Sequence, residues 1–191
     1  MAKNKKHQTG QSLLEMVFAI GILLLVVAAI LALTTSGVIG QKESESQIIA
    51  NNLAREGIEA VRNIRDSNWL AGDNWDKGLF DQTYNTAIAL FSPNSSWQLS
   101  FISADMISGQ DLLYISSNGY YGHQITPQPS PFSRYLILDS ICQQTDGGQS
   151  IKTACDAAEQ KIGLKITANV DWVERGRKRL VNLEDLIYEW K

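Results

Sequence analysis

The sequence predicts an α+β fold in which one long N-terminal helix precedes an antiparallel sheet. Three observations predict it. No proline occurs before Pro93, and residues 13–64 read as one uninterrupted helix. In the second half of that stretch Ile49, Leu53, Gly57, Val61 and Ile64 recur at helical spacing. From about Trp97 the period changes to two, with turn residues between short apolar runs. A helix followed by a series of strands is the order of an α+β chain.

The first half of the helix is almost free of polar groups. Met16–Leu33 is a run of eighteen residues without a charged or polar side chain, about the length that crosses the hydrocarbon core of a bilayer. Lys3, Lys5 and Lys6 precede it, which predicts a cytoplasmic N-terminus and an exported body. Glu15 lies in the first turn. An ionised residue at the centre of an inserting helix costs about 2.5–3.5 kcal/mol, so a carboxylate here calls for a partner or a function. Gly21, Gly37 and Gly40 each weaken the helix by about 1 kcal/mol relative to alanine. At 1.5 Å per residue the whole helix is on the order of 75 Å long.

From residue 41 to 65 charged and apolar positions alternate around a narrow apolar stripe, which is expected to pack on the sheet. Glu59 with Arg62, and Arg55 with Glu59, are helical neighbours worth a few tenths of a kcal/mol on a solvated face. Asp66-Ser67-Asn68 and Gly72-Asp73-Asn74 are expected to end the helix. Residues 66–96 read as an irregular connection, with a short helix around Tyr84–Leu90.

The strands follow. Trp97, Leu99 and Phe101 alternate with polar positions. Leu112–Ser116 and Tyr120–Ile125 flank Ser117-Asn118-Gly119, a hairpin signal because Asn-Gly tolerates positive φ at both turn positions. Pro127, Pro129 and Pro131 mark Thr126–Phe132 as a stiff loop. Arg134–Ile141 reads as a buried central strand. In Ile162–Trp172 the even-numbered residues are apolar and the others mostly polar, the pattern of a sheet with one face on a core. Glu174 to Arg179 turns the chain into a last strand, Leu180–Trp190, whose phase shifts between Leu183 and Leu186, so a bulge is expected there.

The formal charge is −3. The three leading lysines leave the chain after Gly10 at about −6, which gives no general attraction to nucleic acid or anionic lipid. The basic cluster Arg175, Arg177, Lys178 and Arg179 reads as a solvated turn rather than a DNA contact. Cys142 and Cys155, if exported, either form a bridge worth about 3 kcal/mol or remain free thiols. No catalytic, phosphate-binding or metal motif is present, so the chain is expected not to be an enzyme and to need no cofactor and no metal. His123 lacks a nucleophile motif beside it, and Asp139, Asp146 and Asp156 do not match a calcium loop.

The order Met1 to Gly10, Gln11-Ser12-Leu13-Leu14, Glu15, apolar helix resembles the class III signal of type IV pilins and pseudopilins. Ala54-Arg55-Glu56-Gly57-Ile58-Glu59-Ala60-Val61-Arg62-Asn63-Ile64-Arg65-Asp66 is similar, less specifically, to minor pilins. An ordinary secretory signal is cut after its apolar core, whereas here the cleavage glycine precedes it.

The resemblance implies a pilin-like fold, with a long helix, half transmembrane, packed on a twisted antiparallel β-sheet. It divides the chain into a leader at 1–10, a transmembrane and assembly half at 11–40, an amphipathic half at 41–65 and a globular sheet domain at 66–191. It implies cleavage by a prepilin peptidase between Gly10 and Gln11, methylation of the new amine, and pairing of Glu15 with the amine of a neighbouring subunit. Gln11 stands where phenylalanine is common in the family, and the proline that many relatives carry midway along the helix is missing. The implied partners are the peptidase, other pilin or pseudopilin subunits, inner-membrane assembly machinery and membrane lipid. The implied location is the inner membrane, then a periplasmic or extracellular filament. Two other readings are a membrane-anchored binding protein or adhesin that keeps its N-terminus, and a secreted enzyme cut near Ser36.

Overall fold

The computed structural model describes residues 11–92 and 96–189. The chain divides into two compact units, Met1–Glu45 and Ser46–Lys191. What is described of the first is helix alone, with every side chain from Leu13 to Lys42 exposed. The second holds the rest of that helix and all the strands.

Helix α1 runs from Gln11 to Ala71, 61 residues. It continues past the expected stop at Asp66, whose carboxylate turns back to accept from Arg65 Nε at 2.8 Å. The end comes at Gly72, in the left-handed region at φ 73°. There Gly72 N–H donates to Trp69 O at 3.1 Å and Asp73 N–H to Asn68 O at 3.0 Å. This is the Schellman pattern, which satisfies the last carbonyls of a helix and favours glycine at that position. Asn68 Nδ2 donates to the carbonyls of Trp75 and Lys77 and so ties down the chain that leaves the helix.

The strands are β1 (Thr86–Ser92), β2 (Ser96–Ile102), β3 (Leu112–Ile115), β4 (Tyr121–Gly122), β5 (Pro129–Gln143), β6 (Gln149–Lys152), β7 (Gln160–Glu174) and β8 (Arg177–Tyr188). All pairings are antiparallel. β5 is central. One of its edges pairs with β7 along most of its length, and β7 pairs with β8. β3, β1 and β6 bind to β5 in succession, and β2 and β4 extend β1 and β3.

Several sequence expectations change here. The helix around Tyr84–Leu90 is strand β1 instead. Its β-branched and aromatic residues pair with β2, and Thr86–Ala89 are buried. Pro129–Phe132 is the start of β5 rather than a loop, and Ser130 and Phe132 face inward. The hairpin at Ser117-Asn118-Gly119 forms, but only Gly119 has positive φ, at 82°. Ser116 N–H donates to Tyr120 O across a three-residue loop, which needs a single left-handed residue. β4 is also shorter than the expected Tyr120–Ile125.

No bulge interrupts β8, whose register with β7 is continuous from Arg177 to Tyr188. Leu186 faces outward because Asp185 occupies the inward position and binds Arg62 of the helix, with Nη2–Oδ2 at 2.8 Å. The irregularity lies at Ile162, where β7 carries one residue more than β5 between Ile141 and Cys142.

The core forms where α1 meets β5 and β7. Ala50, Leu53, Ala54, Val61 and Ile64 are buried together with Leu136, Leu138, Ile166, Ala168 and Val170. Each fully buried large aliphatic side chain contributes about 1.5–3 kcal/mol. Gly57 sets the separation: a Cβ there would lie 2.8 Å from Leu136 Cδ2. Arg134, also on this face of β5, is 1 % exposed. It donates to Leu53 O at 3.2 Å and to Glu56 Oε2 at 3.0 Å. Burial pushes the guanidinium down from its ordinary value and Glu56 pushes it back up.

Cys142 and Cys155 are joined by a disulfide, with Cα atoms 5.5 Å apart. The loop it closes contains β6, and Lys152 at the end of β6 binds both Asp156 and Glu159.

Two stability predictions follow from these contacts. At Gly163 an added Cβ would meet Ile187 O at 2.4 Å, a backbone atom of the paired strand. Gly163→Ala should therefore lower stability by about 1–3 kcal/mol, read from the denaturant midpoint. Replacing both Cys142 and Cys155 with alanine should cost about 3 kcal/mol by loop-closure entropy. An unchanged midpoint in the double variant would show that the bridge constrains nothing in the unfolded chain.

Candidate functional site

Three regions bear on function: the apolar helix with Glu15, the disulfide loop, and a groove beside the β3–β4 hairpin. In the first, α1 contains a window long and apolar enough to cross a membrane. The large aliphatic residues from Leu13 to Leu33 are exposed on every side of the helix. An apolar face all round suits lipid or neighbouring helices rather than a one-sided contact with a sheet. Past this run two threonine hydroxyls are spent on the helix itself. Thr34 Oγ1 donates to Ile30 O at 2.8 Å and Thr35 Oγ1 to Leu31 O at 2.9 Å, so neither needs water.

Glu15 is the one ionisable side chain between Gln11 and Gln41, and it is exposed. Gln11 begins the helix and lies four residues before Glu15, one turn away along the same face. Gly10 lies outside the described residues. The side chain of Gln11 is likewise not described.

The disulfide loop brings Cys142, Cys155 and Glu159 together, with their potential ligand atoms within 4.8 Å of one another. The donor chemistry does not suit a metal. Both sulfurs are in the disulfide, and Lys152 holds the carboxylate of Glu159. The hydrogen bond from Lys152 keeps that carboxyl below its ordinary range. The three aspartates weighed for calcium are engaged separately. Asp139 accepts from Asn85 Nδ2, Asp146 from the Gly148 N–H, and Asp156 from Lys152.

The basic residues at 175–179 span the β7–β8 turn and the start of β8. Arg175, at φ 52°, and Gly176, at φ 74°, form the two central positions of the turn. Lys178 binds Asp171 at 3.1 Å, a contact that raises its pKa. Glu59 and Arg62 are less simple than a solvated pair. Arg62 bridges Glu59 on its own helix and Asp185 on β8.

The third region was not anticipated. Phe91 and Trp97 meet edge to face at 5.1 Å across the β1–β2 pair. Facing them are Tyr114, Tyr120, Tyr121 and His123, around a cavity of about 670 Å³. Glu56 of α1 also borders it. Tyr121 is braced from behind by Phe132, with ring centroids 6.1 Å apart. Gln124 Nε2 reaches Phe91 O at 3.4 Å and links the two walls. The residues lie far apart in sequence, between positions 56 and 126, so no motif marks them. The signal available was the density of aromatic residues flanking the Asn118-Gly119 turn.

His123 is half-buried. Its Nδ1 lies 3.1 Å from Gln110 O, and that carbonyl can only accept, so Nδ1 carries the proton. Nε2 is then an acceptor, buried and without a partner among the described residues. Burial and the nearby Arg134 charge lower the imidazole pKa to about 4, against weaker opposition from the Gln110 and Leu112 backbone.

No known protein family, curated protein or solved structure matches this chain.

The lowered pKa makes stability depend on pH. A folded-state pKa of about 4 against 6.5 unfolded stabilises the protein fully above pH 6.5. That contribution, on the order of 3 kcal/mol, is lost as pH falls from 6.5 through 4. His123→Asn keeps a short donor for Gln110 and should flatten the stability profile in this window relative to the parent chain. Parallel curves for the two proteins would show that His123 titrates normally.

Proposed function

We propose that this chain is a subunit of a type IV filament, a minor pilin or a pseudopilin. Its N-terminal helix first anchors it in the inner membrane, with the sheet domain on the exported side, and then packs into the filament. The observation that carries this reading is a single carboxylate, Glu15, in the first turn of a helix that is otherwise uncharged as far as Gln41. An anchor that only had to span lipid gains nothing from that charge.

The mechanism has two stages. A prepilin peptidase cuts after Gly10 and releases the α-amine of Gln11. In lipid the amine and the carboxylate of one subunit both lie near the start of the apolar helix. During assembly the amine of an incoming subunit meets Glu15 of its neighbour. Two unit charges 4 Å apart attract by about 4 kcal/mol at an effective dielectric of 20. The apolar surfaces of the two helices exchange lipid for each other at the same time. A helix placed out of register leaves one charge unpaired in an apolar setting, which costs more than the pair gains. The charge pair thus sets axial position, and the apolar surface supplies area. Enzymatic activity has no place in this reading, and inner-membrane assembly machinery would extract the subunit from lipid.

Glu15→Ala should insert, fold and be cleaved normally, while its incorporation into filaments falls at least tenfold. Immunoblots of sheared filaments against membrane fractions measure this. Wild-type incorporation by the variant would remove the pairing role. Sequencing the exported protein from its N-terminus separates the alternatives: Gln11 supports assembly, and an intact Met1 identifies an anchored binding protein that does not polymerise.

A further inference from the structure

We propose that the groove between the β1–β2 edge and the β3–β4 hairpin is a binding site for a neutral saccharide, with one or two sugar rings seated on Trp97 and the three tyrosines. The proposal does not depend on filament assembly and holds equally for a protein that stays anchored.

The groove exposes apolar surface at a cost. Tyr120 is 74 % exposed and Phe91 51 % exposed, beside half-buried Trp97, Tyr114 and Tyr121. Five of the chain's sixteen aromatic residues border this one cavity. The hydrophobic core does not need them there, since Tyr121 and Trp97 only pack against its margin. A volume of about 670 Å³ lies within the roughly 300–1,000 Å³ usual for small-ligand sites.

The groove is also close to electrically neutral. Glu56 is the lining residue that carries a full charge, and its carboxylate is already bound to Arg134 at 3.0 Å. His123 is neutral at physiological pH. Among the described lining residues there is no unpaired cation for a phosphate or carboxylate, and the one carboxylate is paired with Arg134 rather than left for an ammonium group. Its polar atoms are instead the hydroxyls of Tyr114, Tyr120, Tyr121, Ser116 and Thr126 and the amide of Gln124. Rings that present C–H faces to aromatic side chains and hydroxyls to neutral donors and acceptors are the chemistry of a sugar.

Two of the aromatic anchors are held in place by their neighbours. Tyr121 leans on Phe132, and Phe132 lies 5.9 Å from Trp172 in the core. Trp97 is held by Phe91 and by strand pairing. Thr126 Oγ1 fixes the outgoing loop to Ile115 O at 2.9 Å. Aromatic anchors held this way lose little conformational entropy on binding.

The test uses the full chain in octaethylene glycol dodecyl ether micelles, which contain neither sugar nor charge. Cellobiose, lactose and N,N′-diacetylchitobiose are titrated at millimolar concentration, with tetramethylammonium as the cationic probe, and side-chain NMR shifts of Trp and Tyr report binding. At least one disaccharide should bind, shift the Trp97 indole and leave that of exposed Trp69 unmoved. Trp97→Ala should weaken binding at least tenfold. Tyr114→Phe and Tyr120→Phe keep the rings and the fold and should weaken it several-fold by removing hydroxyls. The proposal is overturned if no disaccharide binds, if Trp97→Ala binds as well as the parent, or if tetramethylammonium alone occupies the groove.

Discussion

How closely α1 approaches β5 and β7 governs the folded unit, and two residues set that approach. Gly57 has no side chain, so Leu136 fills the space where a Cβ would stand. Arg134 brings a guanidinium into the same contact and fastens it to Leu53 O and Glu56. A buried charge is tolerable only if its partners are present, so this contact is far more specific than an apolar seam. If the helix slid by one turn, the guanidinium would lose both Leu53 and Glu56. The apolar stripe supplies most of the energy, and Arg134 fixes the position in which that energy is gained. Arg62 and Asp185 repeat the arrangement at the edge of the sheet, where water weakens it.

That positioning extends to the groove. Arg134 holds Glu56 on the helix side of the cavity, and its charge adds to burial, the larger cause, in lowering the His123 pKa. One guanidinium thus pairs with the lining carboxylate and opposes a charge on the lining imidazole. The groove owes part of its neutrality to a residue buried beneath it, which separates its chemistry from the acidic balance of the whole chain.

Much of this was legible in the sequence, and the gaps have physical causes. The long helix was plain because nothing before Pro93 breaks it. The alternation of β7 was plain because Leu164, Ile166, Ala168, Val170 and Trp172 all face one core. β1 was misread because Thr86–Leu90 is buried along most of its length, and a short apolar run has no period to separate strand from helix. β8 was misread because Asp185 takes an inward position, which a hydrophobic pattern scores as outward. A polar residue paired across the fold defeats a local rule. Glu15 was visible because a lone charge in an apolar run needs no partner to be noticed. The groove was not, since Glu56, Trp97 and Tyr121 come together only through the β1–β5–β3 order of the sheet.

The disulfide has a mechanical consequence. Suppose a protein built this way is loaded in tension along its backbone. Antiparallel strands then yield by shearing past one another, and each segment that detaches adds contour length. The bridge spans a sequence separation of 13 residues, between the end of β5 and the approach to β7. With the bridged Cα atoms already 5.5 Å apart, it withholds roughly 40 Å of extension at about 3.4 Å per residue. Force bypasses β6 entirely and passes from β5 across one covalent link toward its longest partner, so the hairpin-like insertion inside the loop rides unloaded.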